Sequence, residues 1–205
     1  MIRVVVFDLG NVITPFDHTT IAPALHARSR IGDRVTPREI HEHIFDWGAG
    51  CYIPYEEGAI TTGEFVRALC RRFEIDVDIE GFKAIWNPIF SQDYEVAAIV
   101  RDLKAKGVPL VLLSNTNEMH FDYIWERYTV IHSFDEVIVS HRVRCRKPHR
   151  AIYEELLRRV QGVPPGDVLF IDDWEKNTAG AEALGIRTHL FRGADGLRDA
   201  LRGIG

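Results

Sequence analysis

The sequence predicts an α/β protein: a parallel sheet covered by helices on both faces, with an all-helical segment inserted after the first strand. Three observations carry that prediction. Short apolar runs alternate with stretches of helical period through most of the chain. Several of those runs stop at a polar residue, where a buried strand would hand over to a loop. Residues from about Asp17 to Asn87 hold helical patterns and no convincing strand.

The first strand is read over Arg3 to Phe7, and it runs into Asp8, Leu9 and Gly10. An apolar run that ends at an acid and a glycine feeds a loop at the carboxyl edge of a parallel sheet, where open α/β folds bind ligands. Helical patterns follow near Thr19 to Arg28, Pro37 to Trp47, Thr62 to Phe73 and Ile79 to Trp86. The later half then reads as repeated βα units. Strands are placed at Pro109 to Leu113, Glu136 to Val139, Val168 to Ile171 and Arg187 to Leu190. Helices are placed at Tyr94 to Lys106, Glu118 to Arg127, His149 to Val160, Lys176 to Leu184 and Gly196 to Arg202, several of them closed by glycine. No internal repeat, low-complexity tract or Ser/Gly-rich linker is present, so the insertion is expected to be a packed cap rather than a tethered module. The division expected is residues 1–16 and 88–205 for the core, with 17–87 as the helical cap.

Composition narrows the function classes. The chain has 205 residues, 46% hydrophobic and 27% charged, with a net charge of -5. That balance is of a soluble globular protein and gives no reason to expect nucleic acid or an anionic membrane as partner. Small molecules become the default ligands. No stretch approaches the roughly 20 apolar residues that span a bilayer, and Met1-Ile2-Arg3 leads straight into a strand. A cytoplasmic location is therefore expected. Cys51, Cys70 and Cys145 are odd in number and lack a C-x-x-C spacing. Neither a disulfide framework nor a zinc site is indicated.

Four elements carry chemistry. Asp8, in Val4-Val5-Val6-Phe7-Asp8-Leu9-Gly10, stands where a carboxylate is fixed in place and open to a ligand. Such a group can attack phosphorus and form an aspartyl-phosphate, or it can simply cap the next turn. In Val111-Leu112-Leu113-Ser114-Asn115-Thr116 a strand ends in a hydroxyl and an amide. With the N–H groups of the turn these can hold phosphoryl oxygens, or they can begin a helix as an ordinary cap. Lys147, in Arg144-Cys145-Arg146-Lys147-Pro148-His149, offers a fixed cation for the phosphoryl group and its nucleophile, with Pro148 setting it at the start of a helix. The alternative there is a solvated basic loop. Finally, Val168-Leu169-Phe170-Ile171-Asp172-Asp173 ends in two acids, with Asn177 four residues after the second. Hard oxygen ligands suit Mg²⁺, and adjacent carboxylates stay ionised most readily beside a cation. Each element alone has a structural reading. All four, at four strand ends and in this order, describe a phosphoryl-transfer site.

With those motifs the chain resembles the haloacid dehalogenase superfamily of phosphohydrolases over nearly its whole length. The wording Phe-Asp-Leu-Gly-Asn-Val-Ile, Leu-Ser-Asn-Thr-Asn, Arg-Lys-Pro and Phe-Ile-Asp-Asp is most similar to the bacterial subgroup that includes α-D-glucose-1-phosphate phosphatase and relatives of the amino-terminal phosphatase domain of epoxide hydrolase. The stretch from Tyr55 to Thr61, with Phe65, also resembles that subgroup's cap. The resemblance implies a Rossmann-like three-layer core with an inserted cap, a Mg²⁺ cofactor and a small phosphorylated substrate. It makes Asp8 the nucleophile, Ser114 and Asn115 phosphate ligands, and Lys147 the charge stabiliser. Metal would be held by Asp8, the Gly10 carbonyl and Asp173, with Asp172 a second acidic ligand or a partner one step removed, and Asn177 orienting the group.

One departure matters. Most phosphatases of the superfamily place a second aspartate two residues after the nucleophile to protonate the leaving oxygen, and this chain has Gly10 there. Such an acid typically contributes about 10²–10⁴-fold. The proton is expected to come from Asp17, His18 or a water, or the substrate is expected to have an acidic leaving group, as a sugar 1-phosphate has. Trp47, Tyr52, Tyr55 and Phe45 are candidates for a sugar-binding wall, although aromatics at helical spacing are commonly core. His41 and His43 lie two apart and do not share a helix face, so both are assigned to solvent or packing. The basic cluster from His141 to Arg150, apart from Lys147, is read as a solvated loop. Two rival functions remain: a hydrolytic 2-haloacid dehalogenase, which uses the same aspartate at carbon without metal, and a catalytically silent binding protein.

Overall fold

A computed structural model describes residues 1–46 and 50–204. Among them the apolar runs form one sheet of five parallel strands: β1 (Val4–Phe7), β2 (Leu110–Ser114), β3 (Glu136–Val139), β4 (Val168–Asp172) and β5 (Arg187–Leu190). Their spatial order is β3-β2-β1-β4-β5. The three inner strands are buried on both faces, which is why they read as unbroken apolar runs rather than as alternation. On the two edges, Glu136 and Arg187 begin strands that are only partly covered. Phe7 lies level with Leu112 on one side and Ile171 on the other. The chain winds outward in opposite directions from β1 and β4, and such a reversal opens a crevice at the carboxyl ends of the strands.

Between β1 and β2 lie α1 (Ile21–His26), α2 (Pro37–Phe45), α3 (Tyr52–Glu56), α4 (Thr62–Arg72), α5 (Ile79–Trp86) and α6 (Tyr94–Ala105). Local chemistry fixes several starts. Thr36 with Glu39, and Thr61 with Glu64, form reciprocal capping boxes at α2 and α4, and Asp78 caps α5 through the Gly81 N–H. The apolar faces of α1 to α5, including Leu25, Ile44, Phe65, Leu69, Phe82 and Trp86, close on one another as a cluster of their own. Trp86 sits at its centre, with the rings of Phe45, Phe65, Phe82 and His120 around it. The short helix α3 has no counterpart in the sequence reading. It is a single turn, too brief for helical period to register.

The remaining helices are α7 (Glu118–Arg127), α8 (Ser140–Val143), α9 (Arg150–Arg159), α10 (Glu175–Glu182) and α11 (Ala194–Ala200). One sheet face packs on Val96, Val100, Phe121, Ile124 and Leu197. The other packs on Ile152, Tyr153, Leu156 and Ala181. The result is a three-layer α/β core. Element bounds differ from the sequence reading by one or two residues, as helix ends commonly do. Pro148 lies just ahead of α9, whose N-cap is His149, as the sequence reading placed it. No helix among the described residues is long and apolar enough to cross a membrane. The three cysteines are free.

Because Trp86 is fully buried among the rings of Phe45, Tyr52, Phe65, Phe82 and His120, Trp86→Ala should cost about 3–5 kcal/mol of stability. Denaturant unfolding followed by far-UV dichroism checks this.

Candidate active site

The carboxyl ends of β1 and β4 bring Asp8 and Asp172 together, and Lys147 lies between them. Its Nζ is 2.8 Å from Asp8 Oδ1 and 2.6 Å from Asp172 Oδ2. Lys147 is 1% exposed and Asp172 0%, so this charge has no solvent to fall back on. Burial works against the ammonium, yet Asp8 and Asp172 outweigh it and hold Lys147 above its ordinary value. The lysine is a fixed cation.

The loop that carries Lys147 is held from β2. Asn115 Nδ2 donates to the Lys147 carbonyl (2.9 Å), and the Lys147 N–H donates to Asn115 Oδ1 (2.8 Å). This corrects the sequence expectation for Asn115: its carboxamide is committed to placing the lysine. The backbone N–H of Asn115 is another matter. Neither it nor the Gly10 N–H donates to any acceptor among the described residues, and the Ser114 hydroxyl is buried beside them. Gly10, Ser114 and Asn115 line one cavity next to the Asp8–Lys147 pair, so two N–H groups and a hydroxyl, the last donating to the Asn115 carbonyl (3.3 Å), are near enough in the fold to receive anion oxygens.

Asp172 is spoken for. Its carboxylate accepts from Trp174 N–H (2.8 Å), from Asn177 Nδ2 (3.0 and 3.1 Å) and from Lys147. Asn177 therefore orients Asp172. Asp173 is half-buried, and its carboxyl is raised by burial and by Asp172 and lowered by a hydrogen bond from Asn11. Oxygens of Asp8, Asp172 and Asp173 lie within 4.8 Å of one another. Burial pushes the Asp8 carboxyl up to about 8, with Asp172 and Asp173 adding to the rise and Lys147 opposing it. One lysine does not neutralise three acids, and the donor set is all hard oxygen. These residues fit a Mg²⁺ ion.

Position 10 explains the missing acid physically. A Cβ built on Gly10 would stand 2.9 Å from Phe16 Cε1, closer than side chains tolerate. Phe16 fills the place where an aspartate would point. Of the substitute donors, Asp17 is not among the residues lining the cavity beside Asp8. Its Oδ1 accepts from the Thr19 N–H and hydroxyl, so the sequence expectation for Asp17 is corrected: it caps a 3₁₀ turn. His18 does line the cavity. It stacks on His41, with ring centroids 5.5 Å apart, and burial followed by His41 holds it below its ordinary value.

That cavity measures about 260 Å³ and reaches from Gly10, Ser114 and Asn115 to the helical segment. Phe45, Tyr52 and His41 line it. Of the proposed sugar wall, Tyr55 is instead core, its hydroxyl shared with Thr62 and the Met119 N–H; Trp47 lies outside the described residues. His41 faces the cavity rather than solvent, whereas His43 packs edge-on against Phe73. Sequence reasoning missed Glu56 and Arg146. They form a buried ion pair at 2.9 Å that joins α3 to the loop of Lys147, and Ser140 Oγ donates to the Glu56 carbonyl (2.6 Å). Burial lifts the Glu56 carboxyl against the pull of Arg146. Arg146 is thus not part of a solvated loop. The available signal was an acid inside an otherwise apolar short turn.

A model of the haloacid dehalogenase-like hydrolases matches residues 2–185. The drimenol cyclase of Aspergillus calidoustus is 28% identical over 208 residues, covering 100% of this chain and 37% of that protein. A sesquiterpene phosphatase of Aspergillus oryzae is 27% identical over 94 residues, 46% of this chain and 47% of that one. An (S)-2-haloacid dehalogenase of Pseudomonas sp. (strain YL) is 24% identical over 139 residues, 67% of this chain and 58% of that one. The chain spans less than two thirds of the length of each. Among solved structures, a HAD family enzyme of Bacteroides thetaiotaomicron in complex with magnesium and inorganic phosphate has a TM-score of 0.79 at 23% identity, over 94% of this chain and 95% of that one. The fold is shared.

Gly10→Asp should displace the Phe16 ring and cost up to about 1 kcal/mol, and Phe16→Ala in the same chain should remove that cost, as thermal unfolding of the single and double variants would report.

Proposed function

The chain belongs to the haloacid dehalogenase-like hydrolases, and on that premise we propose that it is a Mg²⁺-dependent phosphomonoester hydrolase working through an aspartyl-phosphate on Asp8. The observation that carries this reading is the buried Lys147 held between Asp8 and Asp172, next to the cavity that Gly10, Ser114 and Asn115 line. Metal would be held by Asp8, Asp173 and the Gly10 carbonyl, with Asp172 supporting Lys147. Bound there, Mg²⁺ supplies charge neutralisation for the phosphoryl oxygens and their nucleophile.

The chain's own residues do the rest. An Asp8 carboxylate oxygen attacks phosphorus, a P–O(Asp) bond forms, and the ester P–O bond breaks with its electron pair leaving on the alcohol oxygen. Ser114 Oγ, the Gly10 and Asn115 N–H groups and Lys147 Nζ hold the equatorial oxygens, whose charge they match more closely in flight than at rest. The leaving oxygen takes a proton from His18 or from water. In the second half a water attacks phosphorus, the P–O(Asp) bond breaks, and phosphate departs with Asp8 restored. The helices between Ile21 and Trp86 serve as the cap over this centre, excluding bulk water.

The dehalogenase reading is held second. It needs an aspartate at carbon and no metal, and it leaves Asp173 and the three-carboxylate cluster without a purpose.

Phosphate release from small phosphoesters should require Mg²⁺, should stop with EDTA, and should fall at least about 10³-fold in Asp8→Asn. Metal-independent chloride release from 2-chloropropionate, with no phosphate release, would instead establish the dehalogenase. His18→Ala should lower kcat most for esters of poorly acidic alcohols, by about 10-fold or more; equal effects across leaving groups would assign the proton to water.

A further inference from the structure

Much of the wall of the cavity beside Asp8 is apolar. Beyond Gly10, Ser114 and Asn115 it includes Leu9, Phe16, Phe45, Ile89, Phe90 and Ile124. Among the described residues most polar side chains that reach the wall are engaged with protein partners; Glu56 Oε2 is the exception, paired in charge with Arg146 but accepting no hydrogen bond. The carboxamide of Asn115 is closed on the backbone of Lys147. The Tyr52 hydroxyl accepts from Asn117 Nδ2, and Glu56 pairs with Arg146. His120 has both ring nitrogens in use. Nε2 is 3.1 Å from the Trp86 carbonyl, so it donates there, and Nδ1 accepts from Asn117 Nδ2 at 3.0 Å. Thr116 donates its hydroxyl to the Asn117 carbonyl. His18 and His41 stack on each other in the wall, and Asp46 lies exposed at the rim.

A sugar phosphate bound in this space would bring several hydroxyls out of water and find few partners for them. Each hydroxyl so stranded lowers affinity by roughly tenfold to a hundredfold. A hydrocarbon or aromatic group loses nothing of that kind and gains from every apolar contact. We propose that the organic half of the substrate is an apolar alcohol, so that the protein acts on phosphate monoesters of hydrocarbon or aromatic alcohols in preference to sugar phosphates. This rests on the phosphohydrolase reading of Asp8 for its chemistry, and on the cavity wall for its selectivity.

The test uses the full chain with Mg²⁺ and three esters. Acetyl phosphate, too small to engage the wall, reports whether the centre hydrolyses phosphate at all. Geranyl phosphate and glucose 1-phosphate report the preference. In parallel, calorimetry on Asp8→Asn compares binding of geraniol with that of glucose, without any chemistry. The expected result is a kcat/KM for geranyl phosphate at least about 100-fold above that for glucose 1-phosphate, with measurable geraniol binding and none for glucose. Phe45→Ala should shrink the ratio about 10-fold. Turnover of acetyl phosphate with glucose 1-phosphate equal to or better than geranyl phosphate overturns the apolar preference and leaves the hydrolase reading standing. Turnover of none of the three overturns the hydrolase reading. In that event geraniol binding without glucose binding still upholds the apolar wall, and the converse overturns it.

Discussion

A fully buried ammonium is the constraint on which the rest of the site depends. Moving a lysine out of water costs several kcal/mol unless its partners are close and themselves held, and Lys147 meets that condition from three directions. The pairing of β1 with β4 puts Asp8 and Asp172 on adjacent strands. Asn177, from α10, and the Trp174 N–H fix the Asp172 carboxylate. Asn115, from the end of β2, fixes the lysine's backbone. Loss of Lys147 would leave the buried Asp172 carboxylate without its cation, and loss of either asparagine would loosen the placement of that pair. The strand order, the reversal between β1 and β4 and the two asparagines are parts of one electrostatic arrangement, in which stability and chemistry draw on the same contacts.

The helical segment is joined to the core differently. Its interior is apolar, closed around Trp86, and it meets the core in two ways: through α7, where Met119 joins the apolar cluster and His120 stacks on Trp86, and through polar contacts of Glu56 with Arg146, Tyr52 with Asn117, and the Tyr55 hydroxyl with the Met119 N–H. Arg146 adjoins Lys147 in sequence, so the contact that pins α3 reaches the loop that carries the central charge.

Much of this was legible in the sequence, and what was not has physical reasons. The five strands declare themselves because buried parallel strands are apolar on both faces. Asp8 and the Asp172–Asp173 pair are legible because strand ends at a sheet's carboxyl edge converge, whereas Lys147, read as a strand-end residue, follows β3 and α8 on a loop that Asn115 holds in place. Nothing local, however, announces that the Asn115 side chain turns away from the ligand space toward Lys147, since an amide pairing with a distant backbone leaves no period or spacing. The roles of Glu56 and Arg146 are hidden for the same reason: each looks solvated until the fold buries it opposite the other. Asp17 misled because a capping aspartate and a catalytic one differ only in what lies three-dimensionally around them.

The pairing of Gly10 with Phe16 has a consequence for how this site can change. The space that a leaving-group acid would occupy is held by a neighbouring ring rather than left open, so the two positions are coupled. An aspartate at position 10 would have to turn the Phe16 ring aside, so what such a residue does at the site is set by both positions together.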